Sequence, residues 1–78
     1  MKAKCFANKI SQFLDNEAYN RIDIVGVMHT ISLRPDKVGD VTVDDELLYI
    51  EKTTSFGEES LVINPDQIVY IRGIAEVK

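Results

Sequence analysis

The apolar residues of this chain change their spacing once, and this change constrains the possible fold more than any other feature. Phe6, Ile10, Phe13 and Leu14 recur at intervals typical of one face of a helix, and predict a helix over 3–15. From residue 21 onward, short β-branched and apolar runs alternate with turn residues, which is typical of β-strands. The sequence therefore predicts a mainly β fold that is preceded by one α-helix.

The segment after residue 20 divides into five predicted strands with short connections. The first and longest contains Gly26, where we expect a bulge or a sharp bend. The predicted strands lie at 21–33, 38–43, 46–53, 60–63 and 68–74. One helix followed by short, tightly connected strands indicates a small, strongly bent five-stranded barrel with an N-terminal helix.

The size of the chain predicts a single domain that associates with itself. Its 78 residues divide into a helix with its connection (1–19) and a barrel (20–78). A chain of this length buries a small fraction of its surface. Cys5 is the only cysteine, and the sequence has no Cys/His cluster, so we expect neither a disulfide nor a metal or cofactor to stabilise it. Burial against further copies is the remaining common solution, which predicts a homo-oligomer.

The charges and the hydropathy of the chain bear on its partners. Although the net charge is −4, residues 1–9 are basic and 36–66 carry nine acids against two lysines. Any phosphate contacts are therefore expected from the helix. We expect no membrane segment, because no apolar run approaches the roughly 20 residues that a bilayer requires. A single cysteine without an export signal favours a cytoplasmic location.

Residues 61–71 carry a family resemblance. They read Leu-Val-Ile-Asn-Pro-Asp-Gln-Ile-Val-Tyr-Ile, an apolar strand, a one-turn corner and a second apolar strand. This pattern resembles the second signature of Sm-like proteins, the family that includes LSm proteins and Hfq, and the preceding order of elements is also similar. The resemblance implies an Sm-like barrel, a homo-oligomeric ring of about five to seven copies, and single-stranded RNA binding as a non-catalytic chaperone or regulator.

The loops that match the two family signatures define an expected RNA site. In many members the corner holds Arg-Gly, where this chain has Asn64 and Pro65. The first signature has an Asp, an apolar residue and an Asn, where this chain has Asp44, Leu47 and Leu48.

By the resemblance, Asp44, Asn64 and Gln67 form the rim of this site, and the amides offer hydrogen bonds to a base edge. The expected phosphate contacts are the three lysines of the helix, Lys2, Lys4 and Lys9. The alternative interpretation is that the loop residues only form tight turns.

The strands that flank the corner are the expected junction between subunits. A small sheet leaves open edges, and pairing one edge with that of the next copy builds a ring. The expected interface residues are Val62, Val69, Tyr70 and Ile71.

A second hypothesis is a homo-oligomeric protein-binding or scaffold module without nucleic-acid binding. The acidic hairpins and Phe56, at a predicted loop tip, favour a protein partner. The sequence contains no nucleophile motif, phosphate loop or metal-ligand spacing, so we do not expect an enzyme. His29 is interpreted as a half-exposed strand residue, and Cys5 as a structural residue of the helix.

Overall fold

The computed structural model describes residues 2–77, which form one α-helix and six strands. Helix α1 spans Lys2–Asp15. The strands are β1 (Arg21–Gly26), β2 (Thr30–Leu33), β3 (Val38–Asp44), β4 (Leu47–Thr54), β5 (Gly57–Ile63) and β6 (Ile68–Ile74). Two one-turn 3-10 helices connect them, the first corner (Pro35–Lys37) and the second corner (Pro65–Gln67).

The segment predicted as one long strand, 21–33, is a hairpin, so the fold has six strands instead of five. The chain reverses after Gly26, whose backbone N–H donates to His29 O over 2.9 Å. A Cβ on Gly26 would lie only 3.0 Å from that same oxygen, so the expected bend is a complete reversal in which the backbone passes close to the glycine. The sequence pattern missed it because Val27 and Met28 continue the apolar run through the turn.

The strands form two antiparallel three-stranded sheets, and each corner carries the chain from one sheet to the other. Sheet A has the order β2–β1–β6, and sheet B has the order β3–β4–β5. The first corner joins β2 to β3, and the second corner joins β5 to β6. Within residues 2–77 no strand of sheet A is hydrogen-bonded to a strand of sheet B, so no closed barrel is found and the predicted five-stranded barrel is not confirmed. The protein is mainly β with one N-terminal helix.

The two corners share a Pro-Asp pair and the same turn geometry. Proline occupies the first helical position of each, where its fixed φ suits the turn and its missing N–H costs nothing. The N–H of Lys37 donates to Arg34 O over 2.8 Å, and that of Gln67 donates to Asn64 O over 2.9 Å. The same local turn sequence therefore connects the two sheets at both places where the chain passes from one sheet to the other.

The apolar core lies between the two sheets and beneath α1. Its buried members are Ala7, Ile10, Ile22, Ile24, Leu33, Leu48, Ile50 and Ile63. The helix packs mainly against β3 and β4 with the face that its apolar spacing predicts. No helix within residues 2–77 is sufficiently long and apolar to cross a membrane.

Candidate functional site

The structure brings part of the expected RNA site together in one cleft. The cleft lies between the N-terminus of α1, the β3–β4 turn and the second corner, and Lys2, Asp45, Glu46, Asn64 and Asp66 contribute to its lining. Asp44 ends β3 directly before this turn. The β3–β4 turn and the second corner therefore lie side by side.

The charges of this cleft differ from those expected for an RNA site. Lys2 is the one expected phosphate contact that lines it, and its Nζ lies 2.8 Å from the Asp66 carboxylate. Asp45 and Glu46 add two further acids to the same lining. The cleft therefore holds three carboxylates and one lysine that already has a carboxylate partner, and such a surface repels phosphate.

The remaining expected RNA contacts are dispersed. Gln67 lines a different, apolar cleft beneath the β1–β2 hairpin, and its backbone oxygen accepts from Val27 N over 3.0 Å. Lys4 and Lys9 are exposed on α1, where Lys9 Nζ donates to the side chain of Gln12. The Asn64 side-chain oxygen accepts from Asp66 N over 3.0 Å and so caps the second corner, as the turn interpretation predicts.

Three of the four expected interface residues are exposed apolar side chains on edge strands. Val62 on β5 is 57% exposed, and Val69 and Tyr70 on β6 are 61% and 46% exposed. Ile71 instead packs against the core. Val69 protrudes because it is the extra residue of a bulge: Val25 pairs with Tyr70 and Gly26 with Ile68. Within residues 2–77, β5 pairs only with β4 and β6 only with β1, so both strands have an open edge.

A buried carboxylate on sheet A was missed by the sequence reasoning. Asp23 is only 2% exposed, and its neighbours across β2 and β6 are Ser32 and Arg72. Ser32 Oγ donates to Asp23 Oδ1 over 2.9 Å, and Arg72 Nε donates to Oδ2 over 3.1 Å. Arg21 contributes a third contact. An Asp between two buried isoleucines of a predicted strand was the signal, because a buried charge needs partners.

The environment of Asp23 favours its ionised form. Burial by itself raises the pKa of this carboxyl, but the hydrogen bonds from Ser32 and Arg72 and the positive charge of Arg21 outweigh burial and lower the pKa. Asp23 is therefore a fixed negative charge that joins the three strands of sheet A. The guanidinium of Arg72 also lies over the Tyr70 ring, 5.9 Å from its centroid, next to the open edge of β6.

A second cluster, the Asn20 clamp, consists of Asn20, Arg21 and Arg34. It binds Glu76, which follows β6 in the chain. Asn20 contacts the backbone of Glu76, and the two arginines contact its carboxylate. The sequence reasoning did not anticipate this cluster, because its members are 42 to 56 residues apart from Glu76 in the chain.

Phe56 is the most exposed large apolar side chain that the structure describes. It lies at the tip of the β4–β5 hairpin and is 100% exposed. The tip is well defined, because Thr54 Oγ1 accepts from Phe56 N and donates to Gly57 O, at 3.1 and 3.0 Å. This placement agrees with the predicted loop tip.

Cys5 and His29, the two other side chains considered for reactivity or ligand binding, are both exposed. Cys5, interpreted from the sequence as a structural residue of the helix, is an exposed free thiol on α1 and does not pack in the core. His29 is also exposed, and it lies in the β1–β2 turn instead of in a strand. Among the described residues, no group of three or more His, Cys, Asp or Glu side chains is arranged to hold a metal ion.

Comparison with protein-family models, with curated proteins and with solved structures finds no match to this chain.

Proposed function

We propose that this protein is a non-catalytic module of Sm-like architecture that assembles into a ring by pairing β5 of one copy with β6 of the next. The observation that carries the proposal is the pair of open edges with exposed apolar side chains, Val62 on one and Val69 and Tyr70 on the other. Unpaired edge strands with apolar surface are templates for pairing with another chain. Because the two edges differ, the contact is heterologous and can close into a ring.

The side chains along the two edges are complementary. In antiparallel pairing with the outer faces aligned, placing Val62 opposite Tyr70 makes Glu58 a diagonal neighbour of Arg72. The first pair buries apolar surface and the second joins opposite charges, and each kind of cross-strand pair stabilises a sheet by about 0.2–1 kcal/mol. The same register would extend each three-stranded sheet into the next copy.

The ligand that the charges favour for such a ring is a protein. The cleft between the β3–β4 turn and the second corner is acidic, and its single lysine is paired with Asp66. Phe56, fully exposed at a hairpin tip, offers an apolar contact beyond that cleft. We therefore propose a homo-oligomeric protein-binding scaffold, with Phe56 and the acidic hairpins as the contact surface.

Single-stranded RNA binding is the second candidate. It is favoured by the convergence of Lys2, Asn64 and the turn after Asp44 in one cleft, the arrangement that the Sm-like resemblance implies. If the ring binds RNA, its affinity for RNA should fall steeply as the salt concentration rises, and it should also fall when Lys4 and Lys9 are changed to Glu. A protein-binding ring should be insensitive to those changes and lose its partner on Phe56→Ala.

Disulfide trapping tests the assembly directly. Chains carrying Cys5→Ser with Val62→Cys are mixed with chains carrying Cys5→Ser with Tyr70→Cys and are then oxidised. We expect a covalent dimer only in the mixture, because opposed strand residues approach closely enough for a disulfide. Mixing Val62→Cys with Val27→Cys, at a similarly exposed valine on the β1–β2 hairpin, is the control. Equal cross-linking in both mixtures would overturn the proposed pairing.

A further inference from the structure

The Asn20 clamp recognises both the backbone and the side chain of the residue that it binds. Asn20 Oδ1 accepts from the backbone N–H of Glu76 over 2.8 Å, and Asn20 Nδ2 donates to the backbone oxygen of Glu76 over 3.2 Å. A side-chain amide that bonds both groups of one residue holds an extended peptide backbone whatever its sequence. The backbone N–H of Asn20 also donates to Ile74 O over 3.0 Å, so the contact continues the β1–β6 pairing.

The two arginines of the clamp add selectivity for an acidic side chain. Arg21 Nη1 lies 3.1 Å from Glu76 Oε2, and Arg34 Nη1 contacts Glu76 Oε1. Each carboxylate oxygen therefore has its own guanidinium, and charge-assisted hydrogen bonds of this kind are among the stronger ones in proteins. Arg34 also reaches the backbone oxygen of Asn20, over 3.4 Å, which ties the two parts of the clamp together.

The segment that occupies the clamp is held through one residue. Ala75 and Val77, on either side of Glu76, are exposed, and 75–77 belong to no strand. Arg34 is half-exposed, and an open cleft of about 350 Å³ lies beside the clamp, lined by Tyr19, Asn20, Arg34, Pro35 and Asp36. A peptide approaching from solvent therefore meets Asn20 and Arg34 at this cleft, and it gains the full clamp, with the 28% exposed Arg21, when Glu76 has left it.

From these contacts we propose that the Asn20 clamp is a binding site for an extended acidic peptide, which the chain's own residues 75–77 occupy in cis. The ligand class is a peptide in extended conformation with one Glu, bonded through its backbone to Asn20 and through its carboxylate to Arg21 and Arg34. Because Glu76 of the same chain competes for the site, an external peptide binds only to molecules in which Glu76 has been released. The site uses residues other than the exposed side chains proposed for the β5–β6 junction, so the two proposals can fail separately.

The test measures peptide binding in trans by fluorescence anisotropy. The probe is a labelled, N-acetylated peptide with the sequence of 74–78, Ile-Ala-Glu-Val-Lys. It is titrated against the full chain, against Glu76→Gln and against a chain that ends at residue 74. We expect saturable binding to the last two, about tenfold tighter than to the unaltered chain, because the competing carboxylate is gone. Glu51→Gln, at an exposed acid of β4, is the matched control and should bind like the unaltered chain.

Two further titrations locate the site. Asn20→Ala in the Glu76→Gln background should abolish binding, and a probe with Gln in place of Glu should bind about tenfold more weakly than the acidic probe. Circular dichroism establishes that each variant is folded, and Glu76→Gln preserves the test if the shortened chain unfolds. Absence of binding to both folded variants, or equal binding of the acidic and neutral probes, would overturn the proposal.

Discussion

At the scale of single residues, the buried charge of Asp23 is the feature on which the stability of sheet A depends most. Its carboxylate is almost completely buried and joins β2, β1 and β6 through Ser32 and Arg72. Removing one partner of a buried ion pair leaves the other partners without compensation, although Arg72 is half-exposed and can recover water. We expect Asp23→Asn to lower the free energy of unfolding by about 2–3 kcal/mol in chemical denaturation at pH 7.

The control for this change is Asp40→Asn, which removes an exposed carboxylate of β3. It should alter the free energy of unfolding by less than about 0.5 kcal/mol. A similar effect of the two substitutions would show that the contacts of Asp23 contribute little to stability.

The same residue predicts a pH dependence. Because the pKa of Asp23 is lower in the folded state than in the unfolded chain, its contribution to stability is complete above the unfolded pKa of about 3.9. That contribution is lost as the pH falls through the folded pKa. The difference in unfolding free energy between the unaltered protein and Asp23→Asn should therefore shrink below about pH 4. A difference that stays constant between pH 7 and pH 2.5 would contradict the assigned ionisation.

The β3–β4 turn contains backbone strain at Glu46. Asp45 and Glu46 both have positive φ, 52° and 64°, as a tight two-residue hairpin turn requires. Glu has no local hydrogen bond that compensates for the left-handed conformation, whereas glycine adopts it freely. We expect Glu46→Gly to raise the free energy of unfolding by about 0.5 kcal/mol. Glu51→Gly, in the middle of β4, should lower the free energy of unfolding. Thermal unfolding of the two variants measures both effects.

At the scale of elements, the apolar spacing predicts α1 and most of the strands to within a residue or two. The prediction of 68–74 coincides with β6, and 3–15 differs from α1 by one residue. β5 begins three residues earlier than predicted, because Glu58 and Glu59 pair with β4 without an apolar signal. The division of 21–33 into two strands depends on the turn that Gly26 closes with His29, and the apolar Val27 and Met28 hide this turn in the sequence pattern.

The same limit applies to the candidate sites. Exposed apolar residues at Val62 and Tyr70 were predictable because they flank a recognisable corner. The Asn20 clamp depends on the pairing of β6 with β1, which brings Glu76 back to Asn20. Charge complementarity across two strands becomes visible only when their register is known.

The packing between β6 and the α1–β1 connection gives an element-scale prediction. A Cβ on Gly73 would lie 2.7 Å from the Tyr19 ring, which packs edge-on against Phe13 of α1. Gly73→Ala should therefore displace Tyr19 and lower the free energy of unfolding by about 1–3 kcal/mol. Gly39→Ala on β3, where the nearest atom would be 3.6 Å away, is the matched control. Equal thermal stability of the two variants would mean that Tyr19 moves without cost.

At the scale of the whole molecule, the unpaired edges of the two sheets are the main surface available for association. A 78-residue chain whose sheets both end in open, partly apolar strands exposes surface that association would bury. The proposed ring uses the β5 and β6 edges, whereas the acidic cleft, Phe56 and the Asn20 clamp consist of other side chains. Assembly and partner binding can therefore be altered by different substitutions.

Native mass spectrometry of the unaltered protein, of Val62→Lys and of Val27→Lys tests the ring most directly. The two valines are 57% and 64% exposed, and only the first lies on the proposed pairing edge. We predict one closed multiple of the chain mass for the unaltered protein and for Val27→Lys, without bound nucleic acid, and a monomer for Val62→Lys. The proposed ring would be contradicted if the unaltered protein were a monomer. It would also be contradicted if Val62→Lys folded and still formed the assembly.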